Sequence, residues 1–104
     1  MANPVEYVHE LPGGTARVRG FFIKDRNMVT TFTLQLEAWD EGSWKPVRRY
    51  DDAHGHPHLD LLDRSGNEYK KEWLHCSRNE ALTRAQTDFR ENWEQYVAEF
   101  LEDT

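Results

Sequence analysis

The groups in this sequence that could carry acid–base or metal chemistry are concentrated in residues 48–60. Three of the five histidines stand there at two-residue spacing. Histidine is the side chain whose ordinary pKa lies closest to neutral pH, and arginine binds phosphate with two parallel hydrogen bonds. The stretch therefore predicts a functional site, and its polar members are Arg48, Arg49, Tyr50, Asp51, Asp52, His54, His56, His58 and Asp60.

Acid–base catalysis on RNA is the leading chemical hypothesis for this stretch. His54, His56 and His58 are the catalytic candidates. One imidazole would accept the proton of a ribose 2′-hydroxyl, and another would protonate the leaving oxygen. This chemistry needs no metal, and we predict no cofactor.

The same hypothesis assigns the neighbouring residues to substrate binding. The two arginines would stabilise the charge on the phosphate, and the tyrosine would stack on a base. The predicted binding set is Arg48, Arg49, Tyr50, Asp51 and Asp60.

A metal site and a plain surface loop are the two other interpretations. Neutral imidazoles with a carboxylate suit Zn²⁺, Ni²⁺ or Cu²⁺. Alternate side chains on a straight strand are about 6–7 Å apart, too far for three histidines to reach one ion unless the chain bends at Gly55. The sequence therefore predicts no metal. In the surface interpretation the histidines are solvated, and Asp51 and Asp52 cap turns.

Strand parity predicts how the stretch is held. In an extended chain the three histidines would line one side, with Asp52 and Asp60 continuing the same parity. Leu59 and Leu61 have the opposite parity, so we expect them to pack into the core. The prediction is a polar ridge anchored by a leucine pair.

Hydrophobic alternation places this stretch within an antiparallel sheet. Residues 28–39 give the clearest pattern, with apolar side chains on one face and polar side chains on the other. Turn residues separate the predicted strands, which cover residues 15–24, 28–39, 44–50, 58–63 and 68–73. Pro46 cannot donate a ladder hydrogen bond, so we expect an edge or a bulge there.

A long helix is predicted after the sheet. Ser77 and Glu80 have the spacing of a capping box, so the helix should begin near Arg78 and continue to about Glu102. Its apolar side chains recur every three or four residues, which is typical of a helix with one buried face. This stripe contains Leu82, Ala85, Phe89, Trp93, Tyr96, Val97 and Phe100.

The predicted fold class is α+β. We expect an antiparallel, four- to five-stranded meander sheet packed on one face by the long C-terminal helix. At 104 residues the chain has room for one domain. Residues 1–14 would be a lead-in, residues 15–73 the sheet and residues 78–102 the helix.

Charge and composition restrict the function classes. The net charge is −6, with seven acids and two bases in residues 79–104 against twelve acids and eleven bases before them. The whole chain is thus no strongly basic nucleic-acid binder, although its first part could present a local basic face. One cysteine, no apolar run of membrane-spanning length and no signal sequence favour a soluble cytoplasmic protein without membrane contact.

The segment R-Y-D-D-A-H-G-H-P-H, followed by S-G-N-E-Y and a helix with E-A-L…D-F…W, resembles a group of small bacterial proteins of unknown function. Those proteins share an R-Y-D-x-x-H-G-x-x-H segment after a β-hairpin. The chain is more loosely similar to TumE-like toxins of toxin–antitoxin pairs. That resemblance implies an effector neutralised by an antitoxin-like partner, and the matching positions are Tyr50, Asp51, His54, Gly55 and His58.

A non-enzymatic interaction module is the alternative to a toxin-like RNA-acting protein. In that case the acidic helix docks on a protein partner or on a second copy in a homodimer. The histidine stretch would then be ordinary surface.

Overall fold

The computed structural model of the chain describes residues 3–102. Within this range the chain forms a six-stranded antiparallel sheet followed by one long helix. The elements are β1 (Asn3–Glu10), β2 (Ala16–Asp25), β3 (Met28–Asp40), β4 (Ser43–Asp51), β5 (His58–Leu62), β6 (Glu68–Trp73) and α1 (Arg78–Glu102). The α+β class, the meander and the C-terminal helix are confirmed.

Strand β1 corrects the expectation that residues 1–14 are a lead-in. It pairs with β2 along its whole length, from Asn3 opposite Lys24 to Glu10 opposite Arg17. Its side chains are mostly exposed, so it lacks the alternation that marks a half-buried strand. The sheet therefore gains a strand that hydrophobic pattern alone does not reveal. Residues 1 and 2 of the predicted lead-in lie outside the described range.

The strands follow one another in the sheet in chain order, from β1 at one edge to β6 at the other. Pairing of β3 with β4 shifts register between Leu36 and Glu37, close to Pro46. Strand β5 pairs with β4 only from Arg48 to Asp51. Pro46 thus lies next to the register shift and outside the part of β4 that pairs with β5. Because no β5 residue pairs with it there, its missing N–H costs no ladder hydrogen bond.

Helix α1 packs on one face of the sheet, mainly against β3 and β4. The buried residues of α1 are Ala81, Leu82, Ala85, Phe89, Val97 and Phe100, while Trp93 and Tyr96 of the predicted stripe are partly buried. The buried residues meet Phe32, Leu34 and Leu36 of β3, which are at most 1% exposed. We call this side the helix face and the opposite side the open face.

The beginning of α1 is fixed by hydrogen bonds to the sheet and to its own cap. The Glu80 N–H donates to Ser77 Oγ at 3.1 Å, so the predicted cap is present. Asn79 accepts from the Val29 N–H at 2.8 Å and donates to the Asn27 carbonyl at 3.0 Å. These bonds join the helix to the β2–β3 turn. No helix within residues 3–102 combines the length and apolarity needed to cross a membrane.

Candidate functional site

A row of polar side chains crosses the open face from β2 to β6. Each of the five strands contributes one residue to this row, and each residue is the direct cross-strand partner of the residue on the adjacent strand. Neighbouring strands lie about 4.8 Å apart, so the row extends over roughly 19 Å. We call it the cationic row, and it contains Arg19, Gln35, Arg49, Asp60 and Lys71.

Hydrogen bonds hold the cations of this row in place. Arg49 Nε donates to Gln35 Oε1 at 2.7 Å, and Lys71 Nζ donates to Asp60 Oδ1 at 2.6 Å. Arg19 Nε lies 3.4 Å from Glu37 Oε2. The side chain of Glu37 is 7% exposed while that of Arg19 is 53% exposed. The carboxylate thus lies beneath the guanidinium.

Glu37 is the buried anchor at the β2 end of the row. Arg17 Nε donates to Glu37 Oε1 at 2.6 Å, and Gln35 Nε2 donates to Glu37 Oε2 at 2.5 Å. Burial alone would raise the pKa of Glu37. The hydrogen bonds from Arg17 and Gln35, together with the arginine charges, outweigh burial and hold the pKa below its ordinary value. Glu37 therefore stays ionised and orients the arginines.

A second row on the open face contains His58. Direct cross-strand pairing runs from β2 to β6 and joins Phe21, Thr33, Asp51, His58 and Trp73. We call it the histidine row. It lies beside the cationic row, because its members are two positions away along each strand. Aromatic side chains thus flank the cations at both ends.

His58 is fixed at both ring nitrogens. Its Nδ1 lies 3.0 Å from the His56 carbonyl oxygen, which can only accept, so Nδ1 carries a proton. Its Nε2 lies 2.8 Å from Asp51 Oδ1 and 3.5 Å from Asp60 Oδ2. The residue is 1% exposed. A buried ring held in this way cannot exchange protons with a substrate, so we assign His58 a structural role in place of the predicted catalytic one.

The structure does not bring the three histidines to one side. A short 3₁₀ turn over Ala53–Gly55 reverses the chain, with positive φ at His54 and Gly55. His54 and His56 are exposed while His58 returns into the sheet. Alternate residues share one side only along a continuous extended chain, and this turn interrupts it. In the folded protein it is Asp51 that lies opposite His58, because β4 and β5 form a hairpin.

Arg48 and Tyr50 lie on the helix face, away from Arg49, because successive strand residues point to opposite faces. The Tyr50 hydroxyl donates to Asp88 Oδ2 at 2.6 Å, and the residue is 5% exposed. Burial and this hydrogen bond raise the pKa of Tyr50 well above its ordinary value. Arg48 stacks 3.5 Å from the centre of the Tyr96 ring. Tyr50 is therefore a core residue, unable to stack on a base, and the two arginines do not share a phosphate.

The predicted anchoring by leucines is present. Leu59 and Leu61 of β5 are 4% and 8% exposed and belong to the core cluster. They lie on the helix face while His58 and Asp60, between and beside them, belong to the open face. The leucine half of the predicted pattern is therefore present, whereas His58 and Asp60 are buried and do not form an exposed ridge.

A cleft that the sequence did not reveal lies at the end of β6. It has a volume of about 290 Å³ and is lined by His56, Trp73, Leu74 and His75. Both histidines are exposed. The ring of His56 stands edge-on to that of Trp73, with 6.4 Å between the ring centres. His75 is isolated in sequence, and only the pairing of β5 with β6 brings it beside the histidine turn.

A groove follows the other face of the molecule between α1 and β4–β6. Two cavities of about 630 and 500 Å³ share Arg48 and Tyr96. Among residues 3–102 the charged residues lining them are mainly acidic, and they are Asp63, Glu72, Asp88, Glu91, Glu99 and Glu102, with Arg48 and Arg84. The groove therefore has a negative lining, in contrast to the cationic row.

Comparison with known proteins gives a family and no function. No curated protein and no solved structure matches the chain. A family model with the description "Domain of unknown function (DUF7718)" matches residues 2–104. Since this match covers nearly the whole sequence, the chain belongs to the DUF7718 family.

Proposed function

We propose that this protein binds single-stranded RNA across the open face and cleaves it, in a toxin-like manner, at the cleft beside Trp73. The observation that carries the proposal is the cationic row, which presents Arg19, Arg49 and Lys71 on one sheet surface. A sheet surface with cations and exposed aromatic rings is typical of proteins that bind unpaired RNA.

The electrostatics of the open face support an anionic ligand although the chain is acidic overall. Two of the carboxylates paired with the row, Glu37 and Asp60, lie beneath it with side-chain exposures of 7% and 10%, while Glu68, at 40%, pairs with Lys71 on the edge strand. The cationic ends lie above, at 53% for Arg19 and 31% for Lys71. Most of the surplus acids stand on α1 and its groove, on the opposite face. A phosphate backbone on the open face would therefore meet cations first.

Exposed aromatic rings beside the row supply stacking platforms. Trp73 is 49% exposed and ends the histidine row. Trp39 is 45% exposed on the far side of the cationic row, edge-on to Trp44 with 5.4 Å between the ring centres. Base stacking on such a ring contributes about 1–3 kcal/mol per base and depends little on sequence. The arrangement supports binding of RNA without strict sequence preference.

The cleft supplies the groups for the chemical step. His56 and His75 are exposed imidazoles that share a cleft with Trp73. One would accept the proton of the 2′-hydroxyl, which attacks the adjacent phosphorus, and the other would donate a proton to the departing 5′-oxygen. The products are a 2′,3′-cyclic phosphate and a free 5′-hydroxyl. His56 is thus retained from the predicted catalytic set, and His75 is added.

Binding is tested by fluorescence anisotropy with a labelled single-stranded RNA over a range of salt concentrations. Arg19→Ala and Arg49→Ala should each weaken binding and lower the salt slope by about 0.7 per lost phosphate contact. Arg90→Ala, on the exposed surface of α1, is the matched control and should bind as the wild type does. The proposal fails if the wild type does not bind at low salt or if Arg90→Ala loses as much affinity.

Cleavage is tested separately, by gel analysis of the same RNA. His56→Ala and His75→Ala should each reduce the cleavage rate by roughly 10²–10⁴, the usual contribution of a general acid or base. His54→Ala, an exposed histidine in the same turn, should cleave normally. RNA binding without cleavage in the wild type would leave the protein a binding module and remove the catalytic part.

A protein-interaction module remains a second candidate because of the acidic groove. Its charge favours a partner with a basic amphipathic segment, as an antitoxin-like protein would need. A synthetic lysine–leucine amphipathic peptide should bind the wild type and bind more weakly to Glu91→Gln and Glu99→Gln. Glu80→Gln, at the start of α1, is the control. Light scattering of the free protein distinguishes this partner from a homodimer.

A further inference from the structure

We propose that Asp51, His58 and Asp60 form a site for a divalent transition-metal cation, with Zn²⁺, Co²⁺ and Mn²⁺ as the fitting class. Each residue contributes one ligand atom, and these atoms lie within 4.8 Å of one another. Imidazole nitrogen with carboxylate oxygen is a donor set that this class of metal prefers. The site is independent of the RNA-binding proposal and lies beneath the open face.

Hydrogen bonds to the outer atoms orient the ligand groups of His58 and Asp60, while the Asp51 Oδ1 that faces His58 also accepts from the Ala53 N–H at 3.0 Å. The His58 Nδ1–H donates to the His56 carbonyl, which directs Nε2 toward the carboxylates. Lys71 Nζ holds Asp60 Oδ1, while Asp60 Oδ2 is the oxygen that faces His58. Metal-binding imidazoles and carboxylates are commonly fixed in this way, with the outer atom hydrogen-bonded. Lys71 can therefore stay in place when a cation binds.

The spacing of the ligand atoms suits a small cation. Tetrahedral Zn²⁺ with bonds of about 2.0–2.1 Å separates its ligand atoms by roughly 3.3 Å. The His58 Nε2 lies 2.8 Å from Asp51 Oδ1 and 3.5 Å from Asp60 Oδ2. The three ligand atoms lie within 4.8 Å of one another, so the widest pair would have to close by up to about 1.5 Å when an ion binds. The protein supplies a set of ligands from two strands, and water would fill the remaining position.

Burial and charge also favour a cation. The side chains of His58, Asp51 and Asp60 are 2%, 14% and 10% exposed, so little water competes for the ligand atoms. Two carboxylates balance the charge of one dication, and Lys71, which stays paired with Asp60, adds one positive charge beside the site.

The neighbouring histidines do not belong to this site. His54 and His56 are exposed in the turn, and their rings are outside the group of converging ligand atoms. A bound ion would tie the end of β4 to the start of β5, directly below the turn that carries His56. It would therefore hold one wall of the cleft without contacting substrate.

The experiment uses the full untagged chain, purified with a chelator that is then removed. Addition of Co²⁺ should give one equivalent of binding with the visible absorption of a tetrahedral site. Saturating Zn²⁺ should raise Tm by about 5 °C or more, because the ion binds the folded state. Absence of both effects in the wild type would overturn the proposal.

Matched variants separate this site from adventitious binding by surface histidines. Asp60→Asn and Asp51→Asn preserve shape, and each should abolish the Co²⁺ absorption and the Tm shift. The double variant His54→Ala/His56→Ala should retain both. Circular dichroism checks folding, and if Asp60→Asn fails to fold, Asp51→Asn decides the question. Retained binding in the Asn variants, or its loss in the double histidine variant, would contradict the assignment.

Discussion

Asp52 Oδ2, at the residue after β4, accepts a hydrogen bond of 2.7 Å from Nε of Arg78, the first residue of α1. The other oxygen of Asp52 accepts from Thr31 Oγ1 at 2.8 Å and from the Phe32 N–H at 3.2 Å. Arg78 also donates to the Gly55 carbonyl at 3.1 Å. One buried carboxylate thus connects β3, the histidine turn and the helix start.

Substitution Asp52→Ala should lower the free energy of unfolding by roughly 3 kcal/mol, since each of the lost hydrogen bonds contributes about 1 kcal/mol. Urea denaturation at neutral pH measures the change. Asp25→Ala, an exposed aspartate at the end of β2, is the control and should change stability by less than about 0.5 kcal/mol. Equal losses in the two variants would contradict the connecting role of Asp52.

Asp52 also predicts a loss of stability in acid. Burial would raise its pKa, but the bonds from Arg78, Thr31 and Phe32 outweigh burial and hold the pKa below the ordinary value. A carboxyl with a lowered folded pKa stabilises the protein above its unfolded pKa of about 3.9 and loses that contribution as the pH falls. Urea denaturation between about pH 5 and pH 3 should therefore show a smaller decline for Asp52→Asn than for the wild type.

The Tyr7 ring packs directly over Gly20, where β1 pairs with β2. These residues face each other across β1 and β2, and a methyl group at Gly20 would overlap the Tyr7 ring. Gly20→Ala should therefore destabilise the protein by about 1–3 kcal/mol, as overpacking does. In a Tyr7→Ala background the same substitution should cost far less. An additive double-mutant cycle, measured by urea denaturation, would show that the ring does not depend on Gly20.

Burial and the carboxylate of Asp88 together suppress the ionisation of Tyr96 in the acidic groove. Burial, then the hydrogen bond of 2.5 Å to Asp88 Oδ1, raises the pKa of Tyr96 to about 12. Asp88→Asn should lower this pKa but leave it above the ordinary value of about 10, because burial persists. Ultraviolet titration of the phenolate measures the shift. Glu91→Gln, an exposed carboxylate nearby on α1, should leave the titration unchanged.

A raised tyrosine pKa also has a consequence for stability in alkali. The neutral hydroxyls of Tyr50 and Tyr96 stabilise the fold below the unfolded pKa of about 10, and that contribution is lost as the pH rises further. Tyr96→Phe should therefore make stability less dependent on pH above about 10. A wild-type protein with constant unfolding free energy from about pH 9 to 12 would disagree with this network.

Trp73 should contribute to RNA binding through stacking and not through charge. Trp73→Ala should weaken binding by about 1–3 kcal/mol without changing the salt slope, while Trp73→Phe should keep most of the affinity. This behaviour differs from that expected for Arg19→Ala, which changes the slope. Anisotropy titrations at several salt concentrations separate the two effects. A changed slope in Trp73→Ala would mean that the substitution disturbs the cationic row.

Local patterns were sufficient wherever one face of an element is buried. The alternation in residues 28–39 predicted β3, and the three- and four-residue spacing of apolar side chains predicted the helix α1. Each pattern reflects burial against the same core, so sequence and structure agree. Strand β1 was missed because its residues are exposed on both faces, and what keeps it in place is pairing with β2.

The sequence by itself determined that the titratable groups lie in one segment and that Leu59 and Leu61 anchor its last part. Tertiary structure decided which groups meet. The turn over Ala53–Gly55 reverses the chain and so sets Asp51 opposite His58, and the pairing of β5 with β6 places His75 near His56. The positive φ values at this turn go with the reversal of the chain, and the cross-strand register is set by pairing between different strands. The spacing of histidines along one segment does not encode either of them.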